Sequence, residues 1–246
     1  MSVHALAGLP EVRPGDDLAA LLLALQPDLR DGDVLCVAHK VVSKAEGRVV
    51  DLAGVHAGER ARALAAEHGK DPRHLQVVLD ETAEIVRARP GVLICRTRHG
   101  LVCANAGVDA SNAGGADRLV LLPLDPDASA RALRAALRDR AGVAPAVVIT
   151  DSFGRAWRRG PCETAIGLAG LRPIDDWQGR RDSDGRDLRA TAIAVADEAA
   201  AAADLARTKD SREPAVVVRG LERHVTPEDG PGAGALVRAR EEDLFA

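Results

Sequence analysis

The chain has 246 residues, 46% of them apolar and 28% charged, enough to bury a full core as one large unit or as two small lobes. Its net charge of -4, with Arg mixed evenly among Asp and Glu, offers no basic face for nucleic acid and no polybasic patch for a membrane, so small molecules are the expected partners. No signal-like segment opens the chain, the longest apolar run (18–25) is too short to span a bilayer, and Cys36, Cys95, Cys103 and Cys162 lack CxxC spacing, so a cytoplasmic protein with reduced thiols is expected.

In chain order, Asp16 or Asp17 caps a predicted helix through LAALLLAL, and the DGD turn leads into the apolar strand VLCVA, which ends at Ala38. HKVVSKAEG follows that strand. Helices are predicted through ERARALAAEHG, with Gly69 past its end, and through HLQVVLDETAEIVR (74–87), where apolar residues recur at helical spacing. GVLICRT and LVCANA, separated by RHG, read as a hairpin, and the small, polar AGVDASNAGG follows as a loop or a tight turn into a helix. Another strand, RLVLLPL, leads to a helix through ASARALRAALRDR. Pro145 and Pro214 open two β-branched runs, AVVIT and AVVVRG, at a position where a strand tolerates proline. The polar stretch 172–187 is expected as an exposed loop over a site, and Ala199–Ala203 as plain helix. Alternation without a regular βαβ rhythm favours an α+β fold over a doubly wound sheet.

The common nucleotide and hydrolase signatures are absent: there is no G-x-x-x-x-G-K-[ST], no G-x-G-x-x-G, no HExxH and no G-x-S-x-G. Three polar, Gly-flanked segments placed after apolar strands carry the remaining chemistry. In HKVVSKAEG, Lys44 offers a compact charge to phosphates and His39 or Ser43 a hydrogen bond, although a solvated turn would look the same. In NAGVDASNAGG, Asp109 and Asn112 are spaced to share one side of a helical turn; an Asp before small residues is equally an ordinary N-cap. In ITDSFGRAWRRG, Asp151 and Ser152 emerge together from a strand end, a donor set suited to a hard divalent cation, with Arg155, Arg158 and Arg159 nearby. Residue scarcity points to the same places: four Lys stand against twenty-nine Arg, with Lys40 and Lys44 in one segment, and the only two Asn are Asn105 and Asn112. His99, Cys162, Asp197 and Glu198 lack partners in sequence; the two acids read as solvent-facing.

The blocks HKVVSKAEG, HGLVCANAGVDASN, ITDSFGRAWRRG, AIGLAG, DGRDL and AVADEAAAAADL resemble, in order, those of the coenzyme F420-0:L-glutamate ligase family. That resemblance implies a two-lobed α+β subunit in an intertwined homodimer. It implies GTP-dependent joining of L-glutamate to the lactyl carboxylate of coenzyme F420-0 through an acyl phosphate, with further γ-linked glutamates. It also implies Mg or Mn, as two divalent ions, with K as an additional cation. Carried onto this chain, the metal ligands are Asp109, Asp151, Ser152 and Thr208, with Asp109 and Asp151 the catalytic pair. The nucleotide contacts are Leu9, Pro10, Glu11, Val12, His39, Lys44, Asn112, Arg207 and Thr208. The family includes fusions to a C-terminal nitroreductase-like domain; residues 1–246 are expected to form a single ligase unit without it. The chain departs from the family pattern at His39, where a small polar residue is common, at Glu163, where a smaller Asp or Asn is usual, and at Ala206–Thr208, where Met-Gly precedes Gln or Glu. A metal-dependent nucleotide phosphatase or kinase, or a non-catalytic GTP-binding homologue, would fit the same segments.

Overall fold

The computed structural model describes residues 1–243. In chain order the elements are β1 (Ser2–Ala5), α1 (Leu18–Leu25), β2 (Val34–Ala38), α2 (His39–Ala45), β3 (Val49–Asp51), α3 (Glu59–His68), α4 (Pro72–Asp80), β4 (Thr82–Arg89), β5 (Val92–Thr97), β6 (Val102–Ala104), β7 (Arg118–Val120), α5 (Pro126–Ala141), β8 (Ala146–Arg155), β9 (Arg158–Ala169), β10 (Asp175–Asp176), β11 (Ala192–Ile193), α6 (Val195–Asp204) and β12 (Ala215–Arg219). The fold is α+β, as the irregular alternation predicts.

Five strands form the main sheet in the order β1-β12-β2-β8-β9. β2 and β8 run parallel, from Val34 opposite Ala146 to Ala38 opposite Thr150, and every other pairing is antiparallel. Successive strand residues face opposite layers. Leu35, Val37, Val147, Ile149 and Val217 therefore pack with Leu22 of α1 and with Leu133 and Leu137 of α5, whereas Val34, Cys36, Val148 and Val216 pack on α6. The alanine run is the buried stripe of α6: Ala196, Ala199, Ala200 and Ala203 recur at helical spacing, and their small side chains let the helix lie close to the sheet. α5 begins where Asp125 accepts the Ala128 N–H at 2.8 Å, and it stops at Gly142, whose φ of +70° only glycine adopts freely. Its buried Arg134 donates to the carbonyls of Pro145, Thr226 and Pro227 and to Asp229, so the buried guanidinium is fully partnered.

A second core lies over the β3–β7 ladder and the β4–β5–β6 meander, where Leu52, Val77, Val78, Leu93 and Leu119 meet. Here the predicted helix over 74–87 is corrected. α4 stops at Asp80, and Thr82–Arg89 is a strand paired with β5 from Thr82 opposite Thr97 to Arg89 opposite Val92. Helical spacing and strand alternation coincide over so short a window, and the Pro90-Gly91 turn, with Gly91 at φ +80°, returns the chain onto β5 and decides for strand. Two further strands differ in extent: RLVLLPL pairs only over Arg118–Val120, whereas AVVIT runs on to Arg155 and turns into β9. Residues 172–187 are mostly exposed, with β10 pairing β11 at their start.

Candidate active site

The parallel pair ends in polar residues: β2 passes into His39 and Lys40 at the start of α2, and β8 continues into Asp151 and Ser152. Register makes the two strand ends adjacent, since Ala38 lies opposite Thr150. His39, almost fully buried, sets Nε2 3.4 Å from Asp151 Oδ1 and Nδ1 3.4 Å from Ser43 Oγ. Lys40, the next residue, holds Nζ 2.6 Å from Asp109 Oδ2 and 2.6 Å from Ser111 Oγ. The two carboxylates, far apart in sequence, are thereby tied to consecutive residues of α2.

Asp109 reaches this point because Val120 at the end of β7 pairs with it, through backbone hydrogen bonds of 3.0 and 2.8 Å. Its Oδ1 accepts the Ser111 N–H at 2.6 Å, so the segment is an Asx turn and not the helical turn expected. Asn112 accordingly does not share a face with Asp109; it sits exposed at φ +57°. Burial by itself would raise the Asp109 carboxyl, but hydrogen bonds from Lys40 and from the Ser111 backbone outweigh it and hold the group below the usual carboxylate range.

On the opposite side of β8 a second cluster forms. Ile149 pairs Gly167 but Thr150 pairs Ala165, so β9 bulges by one residue where the apolar ladder ends, and Ser152 comes to face Glu163. The Ser152 hydroxyl donates to Glu163 Oε1 at 2.5 Å. Arg207 Nη2 stands 3.2 Å from Glu163 Oε2, and Lys209 Nζ lies 2.6 Å from Ser152 Oγ and 3.6 Å from Glu163 Oε1. Strand alternation therefore separates the neighbours expected to act together: Asp151 turns toward His39, and Ser152 toward Glu163 and the segment that follows α6.

The remaining candidates are placed unevenly. Leu9 is half-buried, Pro10 and Glu11 are exposed, and Val12 is part of the core. Buried Lys44 reaches Glu11 Oε1 at 2.5 Å, which ties α2 to this run. Thr208 is exposed and donates its hydroxyl to Asp210 Oδ1 at 2.7 Å, so it does not join Asp109 or Asp151. Asp197 is not the solvent-facing residue the sequence suggests: it accepts the Ala165 N–H at 2.9 Å, and burial raises its carboxyl. Sequence reasoning missed Lys209 and Ser111 and assigned Lys40 no role. For the lysines the signal was their scarcity: Lys40 and Lys209 lie in these clusters, Lys44 pairs with Glu11 from the same helix as Lys40, and Lys70 donates to Asn105 Oδ1 at 3.0 Å, at the entrance to the Asp109 turn.

Among the described residues no three His, Cys, Asp or Glu side chains gather as a ready-made metal cage. A hard divalent cation does not need one where phosphates fill most positions, because one or two carboxylates then suffice. Asp109, Asp151 and Ser152 supply oxygens of that kind, and buried His39 and Glu163 lie beside them, with His39 Nε2 and Glu163 Oε2 held by ion-pair contacts and not by hydrogen bonds. Each of these oxygens is of the kind a hard divalent ion takes, with Asp109 and Asp151 in the first cluster and Ser152 facing the second.

Residues 8–220 match the family described as F420-0:Gamma-glutamyl ligase. Proteins named Coenzyme F420:L-glutamate ligase are 46% identical in Haloarcula marismortui (99% of this chain, 95% of that protein) and 46% identical in Methanopyrus kandleri (96% and 93%). The protein of that name from Methanothermobacter thermautotrophicus is 42% identical, over 100% of this chain and 98% of its own length. With a family match over most of the chain and relatives aligned almost end to end, the chain belongs to the F420-0:gamma-glutamyl ligase family.

Proposed function

We propose that this chain joins L-glutamate to the lactyl carboxylate of coenzyme F420-0, using GTP as the phosphoryl donor and Mg or Mn as the divalent ion. The observation that carries the reading is the tethering of Asp109 and Asp151 to Lys40 and His39 at the ends of the parallel strands, in a chain whose relatives are named for L-glutamate ligation.

A carboxylate resists attack by an amine until one of its oxygens becomes a good leaving group. In the proposed sequence a carboxylate oxygen of the acceptor attacks the γ-phosphorus of GTP and GDP departs, leaving an acyl phosphate. The glutamate amine then attacks the acyl carbon, loses its proton and displaces inorganic phosphate. Asp109, Asp151 and Ser152 would hold a divalent ion, which would supply neutralisation and alignment of the terminal phosphates. Asp109 and Asp151 act as holders of position and not as proton shuttles; the depressed carboxyl of Asp109 suits an ionised role. Lys40 and Lys44 present compact charges from α2 toward the phosphates. Leu9 to Val12, His39, Asn112, Arg207 and Thr208 complete the nucleotide contacts in this reading. Thr208 as a ligand of a second divalent ion, a K ion, further γ-linked additions and a homodimer belong to the same proposal.

The test is incubation with GTP, Mn or Mg, L-glutamate and coenzyme F420-0, with product masses followed over time. Glutamate-sized increments and glutamate-dependent phosphate release are expected, and Asp109→Asn or Asp151→Asn should lower the rate at least about a hundredfold while the protein stays folded. Phosphate released at the same rate without glutamate, and no increment in mass, would make the chain a nucleotide hydrolase instead.

A further inference from the structure

Two of the three residues that the proposed function gives to a divalent ion, Asp109 and Ser152, carry a lysine ammonium. Lys40 lies 2.6 Å from Asp109 Oδ2, and Lys209 lies 2.6 Å from Ser152 Oγ. At Ser152 the arrangement is restrictive. A hydroxyl has one proton and two lone pairs; the proton is given to Glu163 Oε1 at 2.5 Å, and a lone pair accepts from Lys209. A cation arriving at Ser152 therefore meets an ammonium already in contact with its ligand.

The two basic residues of this segment are mounted differently. Arg207 is anchored: its side chain is 9% exposed, it pairs with Glu163, and it donates to the Pro214 carbonyl at 3.1 Å. Lys209, two residues on, has a side chain 72% exposed and reaches Ser152, Glu163 and Asp204 with its head group alone. A fixed base thus carries a free arm. Lysine suits such exchange because its ammonium makes single, strongly hydrated contacts, where arginine would grip a carboxylate with a two-pronged fork. That a lysine stands here is notable in a chain with twenty-nine Arg and four Lys.

The geometry points to Lys209 as an internal counter-cation of the site, which occupies Ser152 and faces the Glu163 carboxylate until nucleotide binds and then passes to a nucleotide phosphate as a divalent ion takes Ser152. Metal and nucleotide then bind with positive coupling, each improving the affinity of the other by the same factor. This inference rests on the reading of Ser152 as a divalent-ion ligand.

The coupling factor is measured directly by following free Mn by electron paramagnetic resonance, with and without a non-hydrolysable GTP analogue, in the full chain and in Lys209→Met and Lys209→Arg. Removing one partly screened charge within a few ångströms of a divalent ion changes its affinity on the order of tenfold. Lys209→Met should bind Mn more tightly by about that factor without the analogue, and the enhancement produced by the analogue should shrink on the order of tenfold. Lys209→Arg, which keeps the charge, should retain most of the enhancement. An enhancement in Lys209→Met equal to that of the unaltered chain overturns the inference. Asp151→Asn separates the two layers: if it binds Mn as the unaltered chain does, the metal reading itself fails, and if it loses Mn while Lys209→Met keeps the full enhancement, only the role of Lys209 falls.

Discussion

The pairing of Glu163 with Arg207 lends itself to a quantitative test of how this end of the sheet is held. The side chains are 5% and 9% exposed and stand 3.2 Å apart, so neither charge is relieved by solvent. Removing one member of a buried pair generally destabilises by about 3–5 kcal/mol, mostly through the charge left behind. Arg207 would retain the Pro214 carbonyl at 3.1 Å and Asp204 at 3.7 Å, which places Glu163→Gln near the lower end, about 3 kcal/mol. For a chain of this size each kcal/mol lowers Tm by about 2–4 °C, so the expected shift is roughly 6–12 °C. Arg207→Met should destabilise by a similar amount, because Glu163 would keep only Ser152 and the exposed Lys209. The double variant should fall short of additivity by at least about 1.5 kcal/mol, since the second change removes the charge that the first orphaned. Urea unfolding and thermal melts of the four proteins provide the cycle. Single variants that each lose less than about 0.5 kcal/mol, or losses that simply add, would refute the reasoning.

Other consequences are independent of that pair. A Cβ at Gly167 would lie 2.3 Å from the Pro126 carbonyl oxygen, so Gly167→Ala should push α5 off β9 and destabilise by about 2–3 kcal/mol, read by urea unfolding. Burial pushes the Cys36 and Cys103 thiols up to about 12, so at pH 8 neither should react with a thiol reagent; one accessible thiol, half-buried Cys162, is expected in the native chain and four in denaturant. Asp197 has its carboxyl raised in the folded chain by burial, so the folded state holds this proton more tightly than the unfolded one. Its contribution is fully present below the unfolded carboxylate range and is lost as pH rises through the raised value. The stability of the unaltered chain relative to Asp197→Asn should therefore decline with rising pH across the acid range, and a difference that is flat with pH would contradict this.

Elements with one dominant signal were legible in the sequence. VLCVA is apolar at every position and lies buried in the sheet, and the Pro-headed AVVIT and AVVVRG runs are its neighbours β8 and β12. The stretch 74–87 was misread because helix or strand there depends on where Pro90-Gly91 sends the chain, a nonlocal fact. The carbonyl ends of β2 and β8 are legible as site-bearing, since polar residues follow apolar strands, but sequence spacing cannot say that Asp109 meets Lys40 or that Asp151 meets His39. Asp109 and Asn112 looked like neighbours on a helical turn; the Ser111 N–H captured the carboxylate and turned the chain the other way. Lys209 was invisible for a similar reason, because its partners Ser152 and Glu163 come from the β8–β9 hairpin and its contact depends on α6 lying across the sheet.

The claim on which the functional account stands is that an acceptor carboxylate is phosphorylated before glutamate attacks it. Coenzyme F420-0 carrying a heavy oxygen isotope in its lactyl carboxylate tests this in one measurement, the isotopic content of the phosphate released with GTP, Mn and L-glutamate. Each phosphate formed alongside a ligated product should carry one labelled oxygen. Unlabelled phosphate accompanying that product would contradict it.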